Sequence, residues 1–367
     1  MRRILGKLIA QATLVAAFLI LTSIATDNRT SAFLSYPMFQ KGMSYVTWSS
    51  NGFASPASDA SIRSMSEIGV KCVAIIPTWY QKKYNSTEMS PNDRTPSDQS
   101  IRHAIRKAHD EGMFVMLKPH IDLISDEDNS RSDIGFSSED NWNEWFSNYT
   151  KFITHYAKIA REEDVEFFCI GTELTFAVTK TDMWKSKVIP GVRNAYKGRI
   201  VYAANWDEYR DVGFWEDLDY AGIDAYFPLA DKGTPQYEEL KQGWKKWTKD
   251  IGEWAAEIKK PVIFTECGYA SVNTAAVKPW QENKMSEPNP SLQADCYKAL
   301  LEELWNEPWF FGLYWWSWNT YSGSGGINHK GFTPQNKPAA EYVKEWYKKN
   351  IEKNFVVTEA DLKPSEL

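Results

Sequence analysis

The chain has 367 residues, 43% hydrophobic and 25% charged, the ordinary make-up of a globular protein. Its formal net charge is −6 and no Lys/Arg run stands out, which excludes a nucleic-acid binder. Aromatics are in excess, with 17 Trp, 18 Tyr and 18 Phe. Many sit beside polar residues, as in Trp48-Ser49-Ser50, Trp206-Asp207 and Trp318-Asn319, and so suit a surface that stacks rings on flat partners. A Trp-rich core accounts for the rest.

Arg2, Arg3 and Lys7 precede the apolar stretch Leu8–Leu21, and Ser23-Ile24-Ala25 offers small residues for cleavage. Residues 1–25 therefore read as a secretory signal peptide, with an uncleaved membrane tether as the alternative. Either places the protein outside the cytoplasm, secreted or at the cell surface. Cys72, Cys169, Cys267 and Cys296 have no metal-ligand spacing, and three lie in apolar runs where a free buried thiol is expected. The five histidines form no H-E-x-x-H pair. No metal and no cofactor are expected.

Short apolar runs follow at 42–47, 72–77, 113–118, 165–172, 199–204, 220–224, 261–266 and 312–317. Segments of helical period lie between them, at 98–111, 141–160, 237–258, 292–305 and 338–349. Alternation of strands with helices implies parallel pairing, and near-continuous apolar strands imply burial on both faces. Eight such units predict an α/β fold, a (β/α)8 TIM barrel in one domain over residues 36–350. A polar tail over 351–367 follows. A doubly wound open sheet lacks the Gly-rich loop that would support it.

Active sites of such barrels lie at the C-terminal ends of the strands. In strand order those ends carry Tyr45 and Trp48; Trp79; Lys118 and His120; Thr172 and Glu173; Asn205 and Trp206; Asp224 and Tyr226; Glu266; then Trp316 and Trp318. Loose strand ends would be rich in Asp, Asn, Gly and Ser, not in Trp. The pattern predicts a sugar-binding cleft, with Trp79, Trp206, Trp316 and Trp318 as the foremost stacking platforms. Glu173 and Glu266 stand on strands four and seven, opposite one another across a barrel mouth. Glycoside cleavage needs such a pair, one to protonate the departing oxygen and one to attack or activate water. The acid needs surroundings that keep its proton, and the nucleophile needs donors, which Tyr226 could supply. Taken singly, either glutamate could be a cap or an ion-pair partner. His120 could be structural, Lys118 could pair with a carboxylate, and Asp224 reads as a supporting residue.

The segments LKPHID, FFCIGTEL, DYAGIDAYFPL, PVIFTECGY and YWWSW, in this order, resemble glycoside hydrolase family 113 from about Lys41 to Trp346. That resemblance implies a (β/α)8 endo-β-1,4-mannanase of clan A, retaining, with Glu173 as acid/base and Glu266 as nucleophile. It implies β-mannan polysaccharides and mannooligosaccharides as partners, and a monomer is expected. Substrate-binding roles are expected for Tyr45, Trp48, Trp79, Lys118, His120, Thr172, Asn205, Trp206, Tyr226, Trp316 and Trp318. Thr172 departs from the Asn that many clan members carry before the acid/base, which touches the choice of sugar. The alternatives are a clan A β-glycanase acting on glucan, xylan or galactan, and a non-catalytic polysaccharide-binding barrel. Loops 126–140 and 271–290 would set the subsites.

Overall fold

The computed structural model describes residues 38–281 and 285–351. The leader expected over residues 1–25 lies outside them, as do residues 352–367 of the expected tail.

In chain order the strands are β1 (Gln40–Val46), β2 (Cys72–Ile76), β3 (Thr78–Gln81), β4 (Met89–Ser90), β5 (Phe114–Leu117) and β6 (His120–Leu123). They continue with β7 (Phe167–Thr172), β8 (Arg199–Asn205), β9 (Tyr220–Asp224), β10 (Val262–Cys267) and β11 (Phe310–Asn319). The main helices are α1 (Pro56–Glu67), α2 (Asp98–Asp110), α3 (Glu139–Glu162), α4 (Ile189–Ala195), α5 (Tyr237–Ile258), α6 (Pro290–Leu304) and α7 (Pro338–Tyr347). Strands β1, β2, β5, β7, β8, β9, β10 and β11 close into a parallel barrel in that circular order. This is the predicted TIM barrel, and its strands are the eight predicted runs, with ends within two residues. Every residue of β2, β7, β9 and β10 is buried, because each strand has the barrel interior on one face and helices on the other. Gly312, at φ 125°, lets β11 pass against β1: a Cβ there would lie 2.2 Å from the Gln40 carbonyl oxygen.

The helices follow local chemistry. Ser97, Ser138 and Asn289 each accept a first-turn backbone N–H with their side chains, fixing the starts of α2, α3 and α6. α3 buries Trp142, Trp145, Phe146, Tyr149, Phe152 and Tyr156 along one stripe. Trp145 donates to Gln81 Oε1 at 2.9 Å and Tyr149 to the Ile170 carbonyl at 2.8 Å, so both polar tips are satisfied. Much of the aromatic excess is thus core, and Trp145→Ala would cost about 3–5 kcal/mol. α1 and α4 were not among the predicted helices. α1 is serine-rich with little apolar periodicity, but Ser55 as cap and Pro56 in the first turn mark its start. No α-helix joins β8 to β9 among the described residues; 3-10 turns at Tyr209–Asp211 and Trp215–Asp217 span the gap.

Two prolines shape the mouth. Pro77 and Pro119 lack the N–H a ladder needs, so the barrel pairing of β2 and β5 stops there. Both chains then continue into a second small sheet, β4-β3-β6, in which β3 runs parallel to β6. The register pairs Thr78 with His120 and Tyr80 with Asp122. All four cysteines are buried free thiols.

Candidate active site

The cleft at the strand ends holds about 540 Å³ and is lined by both glutamates, together with Arg131, Asn205, Trp206, Glu208, Tyr226, Trp280, Trp316 and Phe332. A side pocket of about 50 Å³ continues past Trp316 and Arg131 to His120, Asp122 and Trp48.

Glu266, next to last in β10, is 4% exposed. Its Oε2 accepts the Tyr226 hydroxyl at 2.8 Å, and its Oε1 accepts Lys118 Nζ at 2.5 Å. Burial, followed by Glu266 and other carboxylates, raises the Tyr226 hydroxyl well above its ordinary range, so Tyr226 stays a donor. Lys118 has no exposed surface, and also lies 3.2 Å from Asp224 Oδ1. Burial opposes its charge, but Asp224 and Glu266 outweigh burial and hold the ammonium above the usual lysine range. Asp224 further accepts Thr265 Oγ1 at 2.7 Å.

Glu173 follows β7 directly, with its backbone in the left-handed region at φ 52°. Its N–H donates to the Ala203 carbonyl at 2.8 Å, and the next N–H, of Leu174, donates to the Tyr202 hydroxyl at 3.0 Å. The turn is therefore pinned by β8. Burial raises the carboxyl above its ordinary range, and Glu266 adds to this, while Arg131 and Lys118 oppose it. Glu173 Oε2 lies 3.3 Å from Arg131 Nη1, and the two side chains keep 20% and 16% of their surface exposed, enough for a ligand to meet both.

His120 is buried on β6, parallel to the Trp316 ring at 6.1 Å. Burial, then Arg131 and Lys118, hold its imidazole well below the ordinary range, so it is neutral. Arg131 Nη1, always a donor, lies 3.1 Å from Nδ1. The proton therefore sits on Nε2, which has no hydrogen-bond partner among the described residues and lies 3.4 Å from Glu266 Oε1. Glu208, half-buried, is pushed up to about 7, by burial first and then by Asp207 and Glu173.

The structure thus brings Glu173, Glu266, Tyr226, Lys118, His120, Asn205, Trp206, Trp316 and Trp48 to the mouth, with Trp48 51% exposed at its edge. Four expected binding residues, Tyr45, Trp79, Trp318 and Thr172, do not line the cleft. Tyr45 donates its hydroxyl toward Ser58 of α1 and stacks on Phe53. Trp79 alternates with Thr78 and Tyr80, whose partners His120 and Asp122 face the cleft, so it packs outward on Phe152 and His155 of α3. Trp318 is turned by a β-bulge: β11 spends three residues where β1 spends two, which reverses the alternation after Trp316. Its Nε1 donates to Ser61 of α1 at 2.9 Å. The Trp316–Ser317 peptide bond is cis. Thr172 is buried beneath Glu173, with Oγ1 3.8 Å from Cys169 Sγ, and does not line the cleft.

Arg131, Glu208, Trp280 and Phe332 were not singled out from the sequence. Arg131 and Trp280 lie in the two loops expected to set subsites. One signal existed for Arg131: Ser130 and Asp133 bracket it in a reciprocal capping box, readable as S-x-x-D. Trp280 stacks on Trp206 at 5.3 Å and 18°, and remains 42% exposed. Among the described residues no cluster of His, Cys, Asp and Glu could hold a metal ion. No described helix is long and apolar enough to cross a membrane.

A TIM barrel with two carboxyl groups at the ends of its fourth and seventh strands, one bound by donors and one raised by burial, is built as glycoside hydrolases are. The chain belongs to that class: the sequence model of Glycoside Hydrolase Family 113 matches residues 43–337, so the protein is a member of family 113. Among solved structures it is similar to a GH113 β-1,4-mannanase, at 26% identity and TM-score 0.78, covering 85% of this chain and all of that one. It is also similar to the GH113 β-mannanase AaManA from Alicyclobacillus acidocaldarius in complex with ManMIm, at 25% identity and TM-score 0.76, covering 84% and 97%. A β-glucuronidase from Ruminococcus gnavus, at 11% identity and TM-score 0.57 over 85% of this chain and 50% of that one, shares the fold. No curated protein sequence matches.

Proposed function

We propose that the protein is a retaining endo-β-1,4-mannanase cleaving mannan, glucomannan or galactomannan, a monomer that is secreted or held at the cell surface by its N-terminal segment. The observation that carries the reading is the contrast between the two glutamates: Glu266 accepts from Lys118 and Tyr226, whereas burial raises Glu173 above the ordinary carboxyl range. The mannanase structures of the same family support the substrate.

In the first step a Glu266 oxygen attacks the anomeric carbon while Glu173 gives its proton to the glycosidic oxygen. The C–O bond breaks, and the leaving sugar departs with a new hydroxyl. In the second, Glu173 takes a proton from water, the water oxygen attacks the same carbon, and the ester to Glu266 breaks. Tyr226 and Lys118 hold Glu266 in place, and the Nε2–H of neutral His120 is free to donate to a sugar hydroxyl.

Products from mannohexaose, with the anomer followed by NMR, test the reading: internal cleavage with a β product is expected. An α product refutes retention, and faster turnover of β-glucan, xylan or galactan refutes the substrate. Glu266→Ala abolishes turnover while binding persists; an unchanged rate refutes the assignment. Glu173→Gln retains more activity on an activated aryl mannoside than on mannan, because a good leaving group needs less protonation. Equal losses on both refute the acid role.

A further inference from the structure

Arg131 stands among the catalytic groups without a part in either step. It projects from a 3-10 turn that closes on itself, with the Ser130 N–H donating to Asp133 Oδ2 at 2.8 Å and the Ser132 N–H to Ser130 Oγ at 3.2 Å. Its guanidinium reaches three groups: Asp122 Oδ1 at 2.7 Å, His120 Nδ1 at 3.1 Å and Glu173 Oε2 at 3.3 Å. A loop arginine ordinarily extends its head into water. This one turns inward and ties the small sheet at the mouth to the side chain of Glu173.

We propose that Arg131 is the positioning residue that fits Glu173 for the second step. It aims Oε2, and after Glu266 has been esterified it remains as the facing charge that leaves Glu173 free to take a proton from water. This rests on the double-displacement reading above.

The two steps differ in which charges persist around Glu173. In the free enzyme, burial and the charge of Glu266 favour the protonated Glu173, and Arg131 and Lys118 oppose them. Formation of the ester converts Glu266 into a neutral group, so its contribution vanishes while that of Arg131 does not. The remaining groups facing Glu173 do not reverse this. Asp122 on β6 favours the protonated form but is spent on Arg131 itself. Asp224 on β9, Tyr226 after it, and Glu208 after β8 also couple to Glu173. Glu266 is among the causes that raise Asp224 and Tyr226, so the ester eases both, but neither touches Glu173 as Arg131 does. His120 is neutral, and Lys118 is bound to Asp224 and Glu266. Arg131 is the cation in contact with Glu173 among the described residues. The same contact fixes the tautomer of His120, so one guanidinium sets two donors that face the sugar.

The test uses the full chain with Arg131→Gln, Arg131→Lys and Asp122→Asn, on mannotetraose and on 2,4-dinitrophenyl β-mannoside. With Arg131→Gln the alkaline limb of kcat/KM for mannotetraose moves up by about one pH unit, because an opposite charge is lost beside the acid. Turnover of the dinitrophenyl substrate slows about tenfold or more at the second step. The glycosyl-enzyme then accumulates, visible by intact mass, and azide, which needs no general base, restores turnover. Arg131→Lys returns part of the limb position. Asp122→Asn leaves the guanidinium to Glu173 and moves the limb the opposite way, which keeps the test available if Arg131→Gln does not fold. A retaining parent enzyme with an unmoved limb in Arg131→Gln, or with an unmoved or raised limb in Asp122→Asn, overturns the role of Arg131 alone. An inverting parent overturns the double-displacement reading, and this role with it.

Discussion

Lys118→Met tests the electrostatics beneath Glu266. The lysine has no exposed surface, and its ammonium lies 2.5 Å from Glu266 Oε1 and 3.2 Å from Asp224 Oδ1. Methionine fills similar volume without charge, so the substitution leaves two buried carboxylates facing one another with no cation between them. Removing one partner of a buried ion pair costs about 3–5 kcal/mol. For a domain of this size each kcal/mol is worth roughly 2–4 °C, so Tm at pH 7 falls on the order of 10 °C. Differential scanning calorimetry at fixed scan rate reads the change, with kcat/KM on soluble mannan measured in parallel. The double variant Lys118→Met/Asp224→Leu removes one of the two stranded carboxyl groups and recovers part of the loss. A fall below about 2 °C in the single variant, or a double variant less stable than the single, refutes the reasoning.

Tyr226→Phe removes one donor from Glu266, a charge-assisted bond worth about 1.5–3 kcal/mol, and lowers kcat/KM about 10- to 100-fold with an unchanged circular dichroism spectrum. A loss below about threefold counts against the bond. Trp280→Ala removes the exposed half of the Trp206–Trp280 stack and raises KM for mannohexaose about 3- to 10-fold, with kcat for an aryl mannoside unchanged. An effect on both substrates places the ring elsewhere. Glu208 is pushed up to about 7, whereas an unfolded carboxyl titrates at about 4.3. Its contribution to stability is full below the unfolded value and is lost as pH rises through about 7. Tm measured from about pH 4 to pH 8 therefore falls less steeply in Glu208→Gln than in the parent; parallel curves refute it.

The barrel strands were legible because burial on both faces writes them as unbroken apolar runs, as in Val262–Cys267. Glu173 and Glu266 were legible because strand ends fix position around a barrel. What failed was the direction of side chains. Trp79 and Trp318 each sit just past a Pro break or a bulge, where counting residues no longer gives the face. Tyr45 lies on the face of β1 turned to α1, which was itself unpredicted for want of apolar periodicity. Arg131, Glu208 and Trp280 come from loops, where nothing periodic fixes direction and long-range contacts decide position.

The left-handed backbone at Glu173 bears on how this position can be studied. A non-glycine residue at φ 52° carries about 1–2 kcal/mol of conformational cost, and a β-branched one carries more. Glycine carries none of it. Glu173→Gly therefore removes the carboxyl and relaxes the turn, and the inactive protein unfolds at a temperature equal to or above that of the active one. Glu173→Val or Glu173→Ile also removes the carboxyl but strains the turn that Ala203 and Tyr202 pin, so its loss of activity mixes a missing group with a deformed cleft. Substitutions at this one residue thus separate into those that delete the carboxyl alone and those that also bend the scaffold, and only the first kind measures what the carboxyl contributes.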